Sequence, residues 1–156
     1  MNAKKPTSTE HLASSTRSDE ADGRFSVGRA AELLVAARLV ELGLSVFFPF
    51  SDRSPVDLIG VWKGQPQRIQ VKARWTARVG AGQDVTVNGV NSSNADALVV
   101  YIDKPTPSFY IIPAKEVDAV ATMVFYPAGR SGKTPRRYWD EWRDRWDILK
   151  TPPKCT

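Results

Sequence analysis

From Val56 to Lys63 the chain reads VDLIGVWK, nearly continuous in apolar residues. A run of that kind suits a central strand, buried on both faces, and the rest of the chain has to supply the layers that cover it. Ahead of it, residues 27–42 (VGRAAELLVAARLVEL) are dense in Ala and Leu, both strong helix formers, with Ser26 as the expected N-cap and Gly43 as the stop. LSVFFPF (Leu44–Phe50) is a β-type run that Pro49 ends. Beyond Lys63, Gly64-Gln65-Pro66 predicts a turn, and QRIQVKARW (Gln67–Trp75) alternates cleanly. DVTV precedes Asn88-Gly89, a hairpin-type turn; Ala97–Asp103, Ser108–Pro113 and Thr122–Pro127 read as further strands. Residues Ala114–Ala121 are expected to form a short helix, and a second is expected from about Arg137 to Leu149.

This order predicts an α/β fold, a mixed sheet flanked by helices, in a single domain over residues 25–150. Residues 1–24 are polar with almost nothing to bury and are expected to be a disordered leader, and 151–156 a short tail. With 156 residues, 42% of them hydrophobic, the chain can bury one ordinary core.

Composition narrows the chemistry. Lys and Arg number 22 against 17 for Asp and Glu, a net charge of +5 that suits a polyanion, nucleic acid being the commonest in a cell. No apolar run approaches the ~18–20 residues of a spanning helix, and none follows Lys4 and Lys5 as in a secretory signal, so no membrane partner and a cytoplasmic location are expected. The one cysteine, Cys155, and the one histidine, His11, rule out an internal disulfide, a Cys-rich zinc site, and Ser-His-Asp, Cys-His or HExxH chemistry. Carboxylates, amides and lysine remain.

Three features break local rules. Glu32 projects among Val35, Ala36 and Leu39 on the helix, where a carboxylate is costly unless compensated; it either belongs to a site or sits at the edge of the face, paired with Arg29. Asp57 opens an apolar strand, as a cap to a loop or as part of a site. In RIQVKAR, Ile69, Val71 and Ala73 share one face, and Arg68, Gln70, Lys72 and Arg74 the other. From Leu58 to Gln83 there are five basic residues, Lys63, Arg68, Lys72, Arg74 and Arg78, and no acid, which reads either as a solvated strand face or as a phosphate-binding one.

Taken in order, the helix glutamate, then PVD ending at Asp57, then QVK from Gln70 to Lys72, resemble the PD-(D/E)XK nuclease superfamily. The similarity is greatest to the group I intron-associated, homing-endonuclease-like branch, whose members can carry Gln-x-Lys; Holliday junction resolvases share the early helix glutamate. The resemblance is firm over residues 28–72 and looser through the rest of the chain. It implies a restriction-endonuclease-like fold and a Mg²⁺- or Mn²⁺-dependent endonuclease of DNA. Glu32, Asp57, Gln70 and Lys72 would be catalytic, and Asp57, Gln70, the Val71 carbonyl and Glu32 would hold the metal. Lys63, Arg68, Arg74 and Arg78 would contact DNA phosphates. A homodimer acting on both strands is also implied. The departure is Gln70, a neutral oxygen donor where the family usually has an acid, which weakens attraction for a hard cation. The alternative is a DNA-binding module that keeps the nuclease fold without catalysis.

Two other motifs are weaker. GRSGKT (Gly129–Thr134) resembles the end of a phosphate-binding loop, but Pro127 replaces the glycine the full pattern needs, so no nucleotide cofactor is expected. Trp139, Trp142 and Trp146, at i, i+3 and i+7, are expected to dock one face of a helix on the body rather than to stack on bases.

Overall fold

The computed structural model describes residues 27–51, 54–75, 82–128 and 139–151. A helix, α1, runs over 27–41 and turns its Ala31, Val35, Ala36 and Leu39 side into the core. It ends as the glycine signal requires: Gly43 takes φ +86°, its N–H reaches the Val40 carbonyl at 2.9 Å, and the Leu44 N–H reaches the Leu39 carbonyl at 3.0 Å. This left-handed cap satisfies the last carbonyls and returns Leu44 onto Leu39 in the core. The expected N-cap, Ser26, lies outside the described residues.

Seven strands follow: β1 (Ser45–Phe47), β2 (Leu58–Trp62), β3 (Gln65–Arg74), β4 (Gln83–Thr86), β5 (Ala97–Ile102), β6 (Ser108–Pro113) and β7 (Thr122–Phe125). Five form a mixed sheet in the order β1-β2-β3-β5-β6, antiparallel except for the parallel pair β3–β5. The other two, β4 and β7, make a separate antiparallel ribbon.

The β2–β3 hairpin closes on two residues, Lys63 and Gly64, both at positive φ (+49° and +79°). That is the turn whose twist matches the strands it joins. It lies one residue earlier than the sequence suggested, because Gln65 and Pro66 already pair with Trp62 and Val61. Pro66 is tolerated there because β5 joins β3 only from Ile69 onward, so the missing N–H faces no neighbour strand.

The strand buried throughout is β5, with all six residues inside; β2, expected to be central, buries only Leu58 and Gly60 completely. Alternate residues of β5 feed two cores. Ala97, Val99 and Tyr101 meet α1, Leu58, Ile69 and Val71 on one face; Leu98, Val100 and Ile102 meet Val85, Met123 and Phe125 of the β4–β7 ribbon on the other. The second face is therefore covered by strands, with α1 the α-helix among the described residues. The Asn88-Gly89 turn forms, with Gly89 at φ +82°, but it leads out of β4 rather than closing a hairpin, since β4 pairs with β7.

Two expected helices are replaced. Of 114–121 only a 3-10 turn forms, Ala114–Glu116. In place of a helix from Arg137 to Leu149 there are 3-10 turns at Asp140–Trp142 and Trp146–Lys150, within a segment of which 129–138 lie outside the described residues. Between the turns Arg143 is extended and bridges Tyr110, and Asp144 takes φ +53°. The tryptophans consequently share no helical face: Trp139 and Trp142 pack on the ribbon side of the sheet, and Trp146 on the α1 side. Buried Gln67 fixes this segment, its amide donating to the carbonyls of Leu149 (3.2 Å) and Thr151 (2.8 Å).

Candidate active site

The site forms where β2 stops short and β3 continues. β2 begins at Leu58, opposite Ile69, while β3 runs on to Arg74 with β5 as its remaining neighbour. Residues 71–74 thus have an edge that β2 no longer covers, and an unpaired N–H there needs a partner. Asp57 supplies it. Its N–H donates to the Ile69 carbonyl (3.0 Å), and its Oδ2 accepts the Val71 N–H at 2.7 Å. The bend through Pro55 and Val56 is closed by the Ser54 hydroxyl, which accepts the Val56 N–H at 3.1 Å. The Asp57 carboxylate is thereby pinned against the Gln70–Val71 stretch of β3.

Gln70 and Lys72 alternate with the buried Ile69 and Val71 and sit beside Leu98 and Val100 in the parallel register, so the two share one face of the sheet. Among the described residues the Gln70 amide makes no hydrogen bond and the Lys72 ammonium no ion pair within 4 Å. Glu32 lies on the next turn of α1 from Val35 and Ala36, with its side chain 19% exposed and an ion pair to Arg29, Nη1 to Oε2, at 2.6 Å. The edge-of-face reading of Glu32 is thus realised. Yet it does not remove Glu32 from the site, because the charges of Glu32, Arg29 and Lys72 all act on Asp57.

The electrostatic balance at Asp57 tips one way. Burial pushes its pKa above the ordinary carboxylate value, the Val71 N–H pulls it down, Glu32 pushes it up again, and Lys72 and Arg29 pull it down; the result is a raised pKa. Two cations and a backbone donor do not fully offset the burial of this charge. Carboxylate, amide and main-chain carbonyl oxygens are the hard donors a cation such as Mg²⁺ takes; Gln70 projects on the sheet face of Leu98 and Val100, whereas α1, which carries Glu32, packs on the other. Among the described residues no three His, Cys, Asp or Glu side chains cluster.

The basic residues expected to bind phosphate separate into different surroundings. Arg74 is half-buried at the end of β3, its Nε without a hydrogen bond and, among the described residues, with no carboxylate within 4 Å. Arg68 is committed elsewhere: Nε and Nη2 donate to the two oxygens of Asp96 (3.2 and 2.9 Å), Nη1 donates to the Ser93 carbonyl, and its own N–H reaches Asp96 Oδ2 at 2.7 Å. Although burial alone would push Asp96 up, these bonds hold its pKa below the ordinary range. Arg68 therefore ties the start of β3 to the start of β5. Lys63 sits in the hairpin turn, its Nζ 5.6 Å from the Trp62 ring, at the far end of β2 and about 20 Å along the strand from Asp57. Arg78 and the GRSGKT segment lie outside the described residues. Asp96 carried no functional weight in the sequence; its position at a strand start, like that of Asp57, was the available signal, and the structure makes it the anchor of Arg68.

Known proteins resemble this chain in sequence and in fold. Protein 5.3 of Escherichia phage T7 is 30% identical over 88 residues, covering 52% of this chain and 75% of that protein. A bacterial homing endonuclease, I-Ssp6803I, has a similar fold: TM-score 0.68, 21% sequence identity, with 80% of this chain and 88% of that one covered. Residues 25–145, which include α1, the Asp57 bend and the Gln70–Lys72 strand, match the sequence model of the PD-(D/E)XK endonuclease family, and the chain belongs to that family.

Proposed function

We propose that the protein is a metal-dependent endonuclease hydrolysing phosphodiester bonds in DNA, with Asp57, Gln70, Lys72 and Glu32 as its working residues. The observation that carries the proposal is the placement of Asp57, pinned to the backbone of β3 between Gln70 and Lys72 and within reach of the Glu32 charge. A divalent cation, Mg²⁺ or Mn²⁺, held by Asp57, Gln70, the Val71 carbonyl and Glu32, would supply Lewis-acid polarisation of the scissile phosphate. The chain's own residues do the remainder. Asp57 is oriented by the Val71 N–H, which engages its Oδ2 and limits the rotamers open to the carboxylate. Lys72, free of any carboxylate partner among the described residues, presents three N–H donors to phosphate oxygen or to an attacking water, where charge develops. Arg74 adds a phosphate contact that positions the DNA without reading its sequence. The implied homodimer is part of the same proposal, since cutting both strands of a duplex calls for two such sites.

The substitution of Gln70 for an acid favours a second reading, a DNA-binding module without catalysis. One experiment separates the two: incubate duplex, nicked, branched and single-stranded DNA with the protein and Mg²⁺ or Mn²⁺, comparing wild type with Lys72→Ala. Cleavage of at least one substrate, reduced on the order of 10²–10³-fold in the variant, is expected for a residue that stabilises developing charge. Absence of cleavage on every substrate would leave the inert module standing.

A further inference from the structure

The Arg29–Glu32 pair joins Glu32, the helix acid of the resemblance, to Arg29, which has no part in it, and both charges act on Asp57, in opposite directions. The two residues stand three apart on α1, with the guanidinium 52% exposed and the carboxylate 19% exposed. The Arg29 guanidinium also lies over the Phe48 ring, 4.9 Å from its centroid. Among the described residues Glu32 thus has one close cationic partner, Arg29, and that partner has a second seat on the Phe48 ring that does not depend on the carboxylate. A carboxylate oxygen engaged at 2.6 Å by a guanidinium is not at the same time fully available to a divalent ion.

We infer that Arg29 competes with the divalent cation for Glu32: in the metal-free protein it holds and orients that carboxylate, and it gives it up when the cation binds, remaining over Phe48. The inference rests on the metal-dependent reading above. Arg29 is a positioning residue in this scheme and touches neither substrate nor metal.

The test is calorimetric titration of Mn²⁺, without DNA, into full-length wild type, Arg29→Ala, Glu32→Gln and the double variant. Arg29→Ala is expected to bind Mn²⁺ roughly two- to fivefold more tightly than wild type, the range a part-exposed ion pair sustains. Removing Arg29 from Glu32→Gln is expected to change nothing. If Glu32→Gln binds too weakly to titrate, the same comparison is read from the Mn²⁺-induced rise in Tm. Unchanged or weaker binding by Arg29→Ala overturns the inference. So does equal tightening in the Glu32→Gln background, which would reduce Arg29 to a general repulsive field. Failure of the wild type to bind Mn²⁺ at all overturns the inference together with the metal-dependent reading, and so separates the two failures.

Discussion

Asp57 sits in a place that resists its charge. Burial and Glu32 raise its pKa above the ordinary value of 3.8 by more than Val71, Lys72 and Arg29 lower it. A carboxyl raised by folding binds its proton more tightly folded than unfolded. It therefore contributes stability below its ordinary pKa, and that contribution is lost as pH rises through the raised value. Asp57→Asn keeps an oxygen to accept the Val71 N–H but removes the charge, so its Tm at pH 7 should exceed that of the wild type. The gain should shrink as the pH falls toward 4, while cleavage is lost at every pH; scanning calorimetry across that range, with a cleavage assay alongside, checks both halves. An unchanged or lower Tm at pH 7 would mean that the charge is compensated. At this scale the sequence was informative wherever a residue contradicted its own pattern: an acid among helix apolars, an acid opening a strand, a lysine two places from an amide. It gave Arg68 to the DNA and not to Asp96, because that partner is 28 residues away and only the parallel pairing of β3 with β5 brings them together.

Elements were legible to the extent that local chemistry determines them. α1 ends at Gly43, and the strands fall close to the apolar runs, because helix propensity, glycine caps and alternation act over a few residues. The β2–β3 turn follows the same logic and gives a local prediction. Gly64→Ala places a Cβ at φ +79°, with an expected cost of about 1 kcal/mol. Lys63→Asn puts a residue that tolerates positive φ where lysine now sits at +49°, and should stabilise by a few tenths of a kcal/mol. Urea denaturation measures both, and neither should alter cleavage, because the turn stands at the opposite end of β2 from Asp57. The segment after residue 138 misled for the converse reason. Tryptophans at i, i+3 and i+7 imitate a helical face, but Trp139 and Trp146 are claimed by cores on opposite sides of the sheet, which one helix face cannot reach. The break at Asp144, with φ +53°, lets the chain cross from one side to the other. Propensity yielded there to tertiary burial.

Across the whole molecule, a helix layer, a five-stranded sheet and a two-stranded ribbon enclose two cores, and the sheet between them carries the site along one interrupted edge. The ribbon's pairing could not be read in advance: DVTV and TMVF each looked like strands, but roughly forty residues separate them and nothing local chooses their partner. The same architecture decides which basic residues matter to a polyanion. The net charge of +5 belongs to the chain as a whole and would attract DNA to any face. Contacts made in a complex are narrower, and each phosphate neutralised releases counterions and steepens the fall of affinity with salt. Lys72 and Arg74 lie along β3 beyond the end of β2, with no carboxylate within 4 Å among the described residues, whereas Arg68 is held by Asp96 and Lys63 lies about 20 Å from Asp57. Lys72→Ala and Arg74→Ala should each lower the magnitude of the slope of log K against log salt by roughly one unit. Arg68→Ala and Lys63→Ala should leave that slope unchanged, with Arg68→Ala showing its effect in stability instead. Fluorescence anisotropy with duplex DNA in EDTA, over a salt series, measures the slope free of cleavage. A loss of slope shared equally by all four variants would show that the DNA is held by diffuse positive charge, and that the open edge of β3 has no special claim on the phosphates.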